Sequence, residues 1–127
     1  MAMTVESSPP QSEPDSQPTL SLDTVLELLA NQRRRFVLYS VVDRADDFIA
    51  FEPLIEDVAT LEAAHANDAL TRDHVQDVAA DLYHWHLPVL ADVGIIDCDA
   101  RHNLIRWWNH PLLETWTTRV RRDELQS

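Results

Sequence analysis

The stretch YHWHLPVLADVGIID, residues 83–97, contains the pattern that decides the fold prediction. A helical run of apolar residues ends at Gly94, the only glycine in the chain, and the strand-forming pair Ile95 and Ile96 follows at once. Glycine adopts the left-handed backbone conformation that ends a helix without steric cost, so Gly94 is the expected helix stop. The stretch therefore predicts a helix that leads directly into a β-strand.

His84 and His86 in this stretch raise the alternative of a metal site. Successive residues of an α-helix are rotated by about 100°, so two residues that are two apart point away from each other. Helical residues need a spacing of three or four to face one ligand. We therefore predict no metal site here. His86 is expected on the apolar face, hydrogen-bonded to a backbone carbonyl, and His84 in solvent, with a bend near His84 because Pro88 removes one helix hydrogen bond.

The charge balance of the chain is strongly acidic. There are 22 Asp and Glu residues against 10 basic residues, every basic residue is arginine, and the formal net charge is −12. Self-repulsion opposes a compact state, but it loses most of its reach in molar salt, where the Debye length falls to roughly 3 Å. We therefore expect a halophilic protein. The same charge argues against generic binding to nucleic acid or anionic membranes, so any DNA contact must come from a few arginines.

Length and composition predict one cytoplasmic domain. A chain of 127 residues with 45% apolar residues can form one core. A single cysteine excludes an intrachain disulfide, and no apolar run approaches the roughly 20 residues of a membrane span. The first residues, MAMTVESSPP, have neither the basic nor the apolar part of a secretory signal.

The beginning of the chain predicts a tail followed by a helix. Residues 1–19 hold four of the seven prolines among Ser, Gln and Glu, which is typical of a disordered acidic tail. Ser21 is the expected N-cap of the first helix. The apolar stripe of that helix is predicted to consist of Leu22, Val25, Leu26 and Leu29.

The rest of the chain alternates between helices and short strands. The sequence predicts a second helix, or a bent continuation of the first, after residues 31–32, then a strand over residues 47–51 and a helix from Pro53 to about Ala64. A long helix is predicted from about Asp73 to Val93, capped by Thr71 or Asp73. A hairpin with its tip at Asp99–Asn103 follows, and a last helix begins at Pro111. The predicted fold is mainly α with a small β-hairpin, and has five helices and a two- to three-stranded sheet.

This order of elements resembles the winged helix-turn-helix fold. Within residues 81–107, DLYHWHLPVLADVGIIDCDARHNLIRW, the pattern formed by His86, Leu87, Leu90, Gly94, Ile95 and Ile96 is similar to the recognition helix and wing of arsenic-repressor-like regulators. Together with LDTVLELLANQRRRFVLYSV over residues 22–41, it resembles a haloarchaeal winged-helix family of unassigned function. The resemblance implies a winged-helix domain over residues 20–108, a separate helix over residues 109–127 and a regulatory role, and it carries no characterised activity.

The leading functional hypothesis is a DNA-binding transcriptional regulator. In this fold the second helix of the pair enters the major groove, and a hairpin-tip arginine can enter a narrow minor groove of double-stranded DNA. The candidate DNA-binding residues are Arg72, Gln76, His84, Arg101, His102 and Asn103. The outward face of the long helix also carries Asp73, Asp77 and Asp81, which would face phosphates. These aspartates favour the rival hypothesis, a winged-helix protein–protein interaction module without direct DNA binding.

The last helix suggests a homodimer. Leu112, Leu113, Trp116 and Val120 fall on one side of it, and large aromatic residues are enriched at subunit interfaces. The alternative is that these residues, with Trp107 and Trp108, pack in the core. The arginine clusters at residues 33–35 and 119–122 are expected to form ion pairs with neighbouring acids.

The sequence offers little for catalysis or for cofactors. One glycine excludes a Walker loop or a dinucleotide fingerprint, and no nucleophile and base have a recognisable spacing, so we predict neither an enzyme nor a cofactor. A metal- or redox-sensing regulator through Cys98 and His102 or His110 is a third alternative. Because tetrahedral metal coordination needs more ligands in fixed register, no metal site is expected.

Overall fold

The structure is a computed structural model, and it describes residues 20–42, 44, 46–108 and 110–125. The tail predicted over residues 1–19 lies outside the described residues. In chain order the elements are α1 (Leu22–Leu28), α2 (Gln32–Val42), β1 (Phe48–Ala50), α3 (Phe51–Ala66), α4 (Arg72–Asp81), a π-helical turn (Leu82–His86), α5 (Leu87–Asp92), β2 (Ile96–Asp99), β3 (Leu104–Trp107) and α6 (Pro111–Leu125).

Helix α4, the π-helical turn and α5 follow one another without interruption and together form the long helix, residues 72–92. Counted in this way, the described residues contain five helices. The three strands form one antiparallel sheet in the order β1-β3-β2. The predicted fold, mainly α with a small β-hairpin, is therefore confirmed. Its order of elements is compatible with a winged helix.

Local capping signals place the helix ends where the sequence predicts them. The Ser21 hydroxyl accepts a hydrogen bond from the Thr24 N–H at 3.1 Å, and α1 starts at the next residue. Thr71, rather than Asp73, caps the long helix, since its hydroxyl accepts from the His74 N–H at 3.1 Å. Gly94 has a φ of 82°, the left-handed value that stops the helix before β2.

Helix α2 lies at the centre of the core. It packs against α3 on one side and against α6 on another. Five of its residues are buried in consequence, namely Phe36, Val37, Leu38, Tyr39 and Val41. A helix enclosed by two neighbours becomes apolar over most of its circumference, so its sequence shows no single stripe.

The predicted apolar stripe of α1 is wrong in part. Val25 and Leu29 are buried as expected, but Leu28 is buried as well, whereas Leu22 and Leu26 are each 46% exposed. Helix α1 is only seven residues long and its inner side is set by contacts with α6. Those contacts turn the side formed by residues 25, 28 and 29 inward, which periodicity alone does not determine.

The small sheet closes one end of the core. Ile49 of β1 pairs with Ile105 of β3, which in turn pairs with Cys98 of β2. Ile49, Ile96 and Ile105 are all 2–3% exposed. Because side chains alternate along a strand, Phe48 and Arg106 point to the opposite face and are exposed. The hairpin is therefore held to the helices by one row of isoleucines.

The long helix widens into a π-helical turn just before Pro88. The Leu87 N–H donates to the Leu82 carbonyl, five residues back, and Pro88 itself has no N–H to donate. The turn leaves His86 only 1% exposed and His84 in solvent, as predicted. The predicted hydrogen bond from His86 to a backbone carbonyl is wrong.

The buried His86 ring lies against a carboxylate instead. Its Nε2 lies 2.9 Å from Asp81 Oδ2, but the ring N–H is not directed at the oxygen, and neither ring nitrogen has a hydrogen-bond partner. Burial lowers the pKa of His86, since it outweighs the opposing effect of Asp81. The histidine is therefore held in its neutral form.

Helix α6 is joined to the core by apolar packing and by one carboxylate. Leu113 and Thr117 are buried. The Glu124 carboxylate accepts two hydrogen bonds from Arg35, each 2.8 Å long, one from the Tyr39 hydroxyl at 2.7 Å and one from Gln32 at 3.1 Å. These donors, with Arg35 as the largest cause, lower the pKa of Glu124 to about 2.

Replacing the Glu124 carboxylate by an amide is expected to destabilise the protein. Glu124→Gln keeps the size of the side chain but removes the charge that Arg35 neutralises, so the free energy of unfolding at neutral pH should fall by about 2 kcal/mol. Because the pKa of Glu124 is lower in the folded state, the carboxylate stabilises the fold above about pH 4.5. This contribution is lost as the pH falls from about 4.5 to about 2.

Denaturant unfolding in molar KCl measures the effect of Glu124→Gln. The matched control is Glu114→Gln, which makes the same change at an exposed position of α6. The control should alter the free energy by less than about 0.5 kcal/mol. Equal effects of the two variants would contradict a specific role for Glu124.

His86 predicts a loss of stability at mildly acidic pH. The unfolded chain takes up a proton near the ordinary histidine pKa, whereas the folded chain resists it because the His86 pKa is lowered. The free energy of unfolding should therefore fall as the pH is lowered from about 7 to about 5. His86→Leu should remove most of that slope, while His84→Leu, at the exposed neighbour, should retain it. A slope that survives in His86→Leu would contradict the assignment.

Candidate nucleic-acid interface

The three candidate residues of the long helix are all exposed. Arg72 is its first residue and Gln76 lies one turn further on. His84 lies two turns beyond Gln76, within the π-helical turn, with its ring edge-on to Tyr83 at 5.3 Å between centroids. The helix therefore presents these side chains from successive turns.

The other three candidates, Arg101, His102 and Asn103, lie in the hairpin tip (Asp99–Asn103). Asp99 shapes this turn: its Oδ1 accepts from the His102 N–H at 3.2 Å, and its Oδ2 lies 2.8 Å from His102 Nδ1. The His102 side-chain and backbone contacts lower the pKa of Asp99. Asn103 has a φ of 57°, a left-handed conformation that asparagine tolerates. Arg101 is exposed at the outermost part of the turn.

The hairpin tip and the long helix are neighbours. The Phe51 N–H at the start of α3 donates to the Asn103 carbonyl at 3.0 Å, which fixes the tip against the helical part. Tyr83 of the long helix and Asn103 of the tip line the same groove. The structure therefore places the tip beside the end of the long helix that carries His84, whereas Arg72 and Gln76 lie towards the other end of that helix, with Arg72 about 16 Å along the axis from Tyr83.

Arginine cluster 33–35 is used inside the fold. Arg34 donates to the Leu28 carbonyl at 2.9 Å, and Arg35 donates to the Leu29 carbonyl at 2.7 Å as well as to Glu124. Arg33 donates to Glu62 of α3 through two nitrogens, at 2.6 and 2.7 Å. These arginines therefore stabilise the contacts between helices. The expected ion pairs with acids form at Arg33 and Arg35, whereas Arg34 binds backbone carbonyls at the end of α1.

Arg33 also reaches the long helix. Its Nη1 lies 3.3 Å from Asp77 Oδ2 and 3.2 Å from Asp81 Oδ2. Glu62, the largest cause, raises the pKa of the Arg33 guanidinium further above its ordinary value. Burial alone would raise the pKa of Glu62, but hydrogen bonds from Arg33 and His74 outweigh it and lower that pKa. Three carboxylates thus share Arg33 as a partner.

This network changes the reading of the acidic helix face. The sequence places Asp73, Asp77 and Asp81 together as an outward negative surface. In the structure Asp77 and Asp81 both contact Arg33, which offsets part of their charge, but the Asp77 side chain stays 72% exposed and the Asp81 side chain is 31% exposed. Asp73 remains exposed beside Arg72. The negative charge on the outward face is therefore smaller than the sequence suggests.

Few arginines are left without a partner. Within the described part of the chain, Arg72, Arg101 and Arg122 form no ion pair, hydrogen bond or ring contact through their side chains with another described residue. Arg44 and Arg106 lie 3.9 Å from Asp57 and Asp47, and Arg119 lies over the Trp116 ring at 5.2 Å. Two of the three partnerless arginines, Arg72 and Arg101, belong to the long helix and the hairpin tip.

The residues predicted for a dimer interface differ in exposure. Leu113 is 4% exposed and belongs to the core, and Trp116 and Val120 are partly buried against it. Leu112 is 37% exposed and points outward. A large part of the apolar side of α6 is therefore already used within the monomer.

Sequence reasoning missed two aromatic residues of the π-helical turn. Tyr83 is 61% exposed and Trp85 is 52% exposed, with the Trp85 ring stacked on His86 at 4.8 Å between centroids. Aromatic residues in a predicted amphipathic helix are normally assigned to the core. The available signal is that each lies about 100° around the helix from His84, at an edge of the apolar face rather than at its centre.

The described residues contain no group of three or more His, Cys, Asp and Glu side chains placed to bind a metal ion. His102 is paired with Asp99, and His110 Nε2 lies 3.3 Å from the Gly94 carbonyl. Burial raises the pKa of the Cys98 thiol, which disfavours the reactive thiolate. Nor does any described helix have the length and apolar character needed to cross a membrane.

Comparison with known proteins gives a family but no function. Comparisons with curated proteins and with solved structures found no match. Residues 26–106, more than half of the chain, match the profile of a family described as a domain of unknown function, DUF7344. The matched segment runs from α1 through the long helix to β3 and so includes both groups of candidate residues. The chain belongs to this family, DUF7344.

Proposed function

We propose that the domain is a winged helix-turn-helix that binds double-stranded DNA and acts as a transcriptional regulator. The order of the elements supports this: β1 precedes the helix pair formed by α3 and the long helix, and the β2–β3 hairpin follows directly. In such a fold the second helix enters the major groove and the hairpin is the wing. The long helix and the hairpin tip would then face the duplex together.

The observation that carries the proposal is the distribution of free positive charge. In a chain with 22 acidic residues, Arg72 and Arg101 are left without side-chain partners among the described residues, while Arg33 binds the nearby Asp77 and Asp81. Unpaired arginines can neutralise phosphates, and the release of condensed counterions then drives binding. The fold thereby lowers the negative charge where a duplex would approach.

The uncharged side chains of the helix face would supply sequence preference. Gln76 can form a bidentate contact with adenine, and the methyl group of Ala80, one turn further on, can contact a thymine methyl group. The exposed Asp73 can accept only from a cytosine amino group. Phosphate contacts by Arg72 and Arg101 would position these residues without reading sequence themselves.

Duplex binding tests the proposal. Fluorescence anisotropy with duplexes selected from a random-sequence library, in a KCl series over which the protein stays folded, measures the affinity. Arg72→Ala and Arg101→Ala should each weaken binding by about fivefold to tenfold and lower the salt slope by about 1. Arg122→Ala, which removes an equally exposed arginine from α6, is the matched control and should change the affinity by less than about twofold.

Two results would overturn the proposal. One is that no duplex binds at any salt concentration that preserves the fold. The other is that Arg72→Ala and Arg101→Ala behave like Arg122→Ala, because a generic loss of positive charge would then explain every change.

A second candidate function is a protein-interaction module. It is favoured by the exposed Tyr83 and Trp85, since large aromatic side chains dominate the binding energy of protein interfaces. Tyr83 and Trp85 lie on the long helix beside His84, so the two candidate functions use overlapping surfaces. The duplex anisotropy measurement separates them. An interaction module would bind no duplex, and Trp85→Ala would then leave the anisotropy of the labelled duplex unchanged.

We also propose that the chain forms a homodimer through the outward side of α6. Leu112 is the central residue, because Leu113 is already buried in the monomer. Leu112→Glu should convert a dimer to a monomer, halving the mass measured by light scattering, because a charge at the interface costs several kcal/mol. Leu26→Glu, at an apolar residue of α1 that is 46% exposed, is the control and should leave the mass unchanged. A wild-type monomer, or a dimer that survives Leu112→Glu, would contradict this interface.

A further inference from the structure

A groove separates the long helix from the hairpin and is lined almost entirely by apolar side chains. Its apolar walls come from the start of α3, the π-helical turn, α5 and β3, and are formed by Phe51, Tyr83, Leu87, Pro88, Ala91 and Leu104. Its volume is about 280 Å³. We name it the helix–hairpin groove. It is large enough for a small organic molecule, although its volume lies just below the range of about 300–1,000 Å³ for drug-sized ligand pockets.

The groove has few polar groups, and the only charge among them is negative. Cys98, Asp99 and Asn103 line it from the hairpin side. Asp99 is the only charged residue among those that line the groove, and no arginine or histidine is among them. His102 contacts Asp99 but leaves the carboxylate exposed, with further lone pairs available. An anionic ligand would meet only repulsion here.

The aromatic walls add a second attraction for positive charge. The rings of Phe51 and Tyr83 meet edge-on, with centroids 5.8 Å apart and an angle of 64° between their planes. Tyr83 is 61% exposed, so its ring is open to a ligand. The faces of aromatic rings attract cations, by about 0.5–1 kcal/mol at exposed sites.

We infer that the helix–hairpin groove is a binding site for a small organic cation with an aromatic or alkyl body. The body would displace poorly hydrogen-bonded water from the apolar walls, and the cationic group would lie between the Tyr83 ring and the Asp99 carboxylate. A ligand in this position would bridge the long helix and the hairpin tip. The inference stands on the groove itself and holds whether or not the domain binds DNA.

Three probes of nearly equal size test the charge preference directly. They are the cation benzyltrimethylammonium, the neutral N,N-dimethylbenzamide and the anion benzenesulfonate. Cys98 is the only cysteine of the chain and lines the groove, so protection of its thiol from iodoacetamide reports occupancy. Amide chemical shifts of Ala91 and Ala100 give an independent dissociation constant. The cation should bind with a Kd on the order of 1 mM, and at least about fivefold more tightly than either other probe.

Variants then locate the site. Asp99→Asn should weaken binding of the cation about threefold. The control Asp97→Asn removes the same charge two residues earlier, outside the groove, and should keep the Kd of the cation within about twofold of the wild-type value. Tyr83→Leu keeps an apolar wall but removes the ring, and should weaken the cation more than the neutral probe. Ala91→Phe fills the groove from an exposed position and should abolish binding of the cation while the fold is retained.

The outcomes are decisive in each direction. Cation preference lost in Asp99→Asn and binding lost in Ala91→Phe would support the site. Three results would overturn it. The neutral or anionic probe could bind as tightly as the cation, or Asp99→Asn and Asp97→Asn could have equal effects. The third result is that the cation does not protect Cys98. Because these measurements contain no DNA, their failure is distinct from failure of duplex binding.

Discussion

The Arg33 guanidinium is the contact on which the arrangement of the helices depends. It lies on α2 and binds Glu62 of α3 together with Asp77 and Asp81 of the long helix, so one side chain joins three helices. The Arg33 and Glu62 side chains are only 21% and 12% exposed, where removal of one partner leaves an uncompensated charge. The same contact offsets part of the charge of two carboxylates on the long helix, of which Asp81 is partly buried and Asp77 stays exposed. Stability and surface charge are thus set by one residue.

The π-helical turn has a similar double effect. Its wider backbone keeps the helix continuous up to Pro88 and leaves His86 buried while Tyr83, His84 and Trp85 stay in solvent. His86 is unsatisfied in its hydrogen bonds, which costs free energy, and π-helical turns often mark functional sites. Tyr83 lies both on the long helix, which the DNA proposal uses, and in the helix–hairpin groove. A ligand in the groove would therefore touch the element that the DNA proposal uses.

The acidic surface and the proposed DNA contact are compatible because charge is distributed unevenly. Most of the arginines are engaged within the fold: the three of cluster 33–35 stabilise contacts between helices, and others lie against single acids or rings. Among the described residues, Arg72 on the long helix and Arg101 at the hairpin tip have no side-chain partner, and neither does Arg122 on α6. Net charge predicts weak generic affinity for nucleic acid, whereas local charge decides whether a particular surface can approach phosphates. The homodimer proposal would place two such surfaces in one particle.

The sequence by itself determined the elements whose signals are local. Ser21 and Thr71 cap helices, Gly94 stops one, and alternation predicts the hairpin, because each signal acts through neighbouring backbone groups. Helical spacing also separated His84 from His86 correctly. Only the tertiary structure decided which side of α1 is buried, that Asp81 rather than a carbonyl lies against His86, and that Arg33 binds Asp77 and Asp81. The Asp81–His86 and Arg33–Asp81 contacts join residues 5 and 48 positions apart, and α1 packs against α6 from the other end of the described chain. Their partners are chosen by the packing of whole helices, which no local pattern encodes.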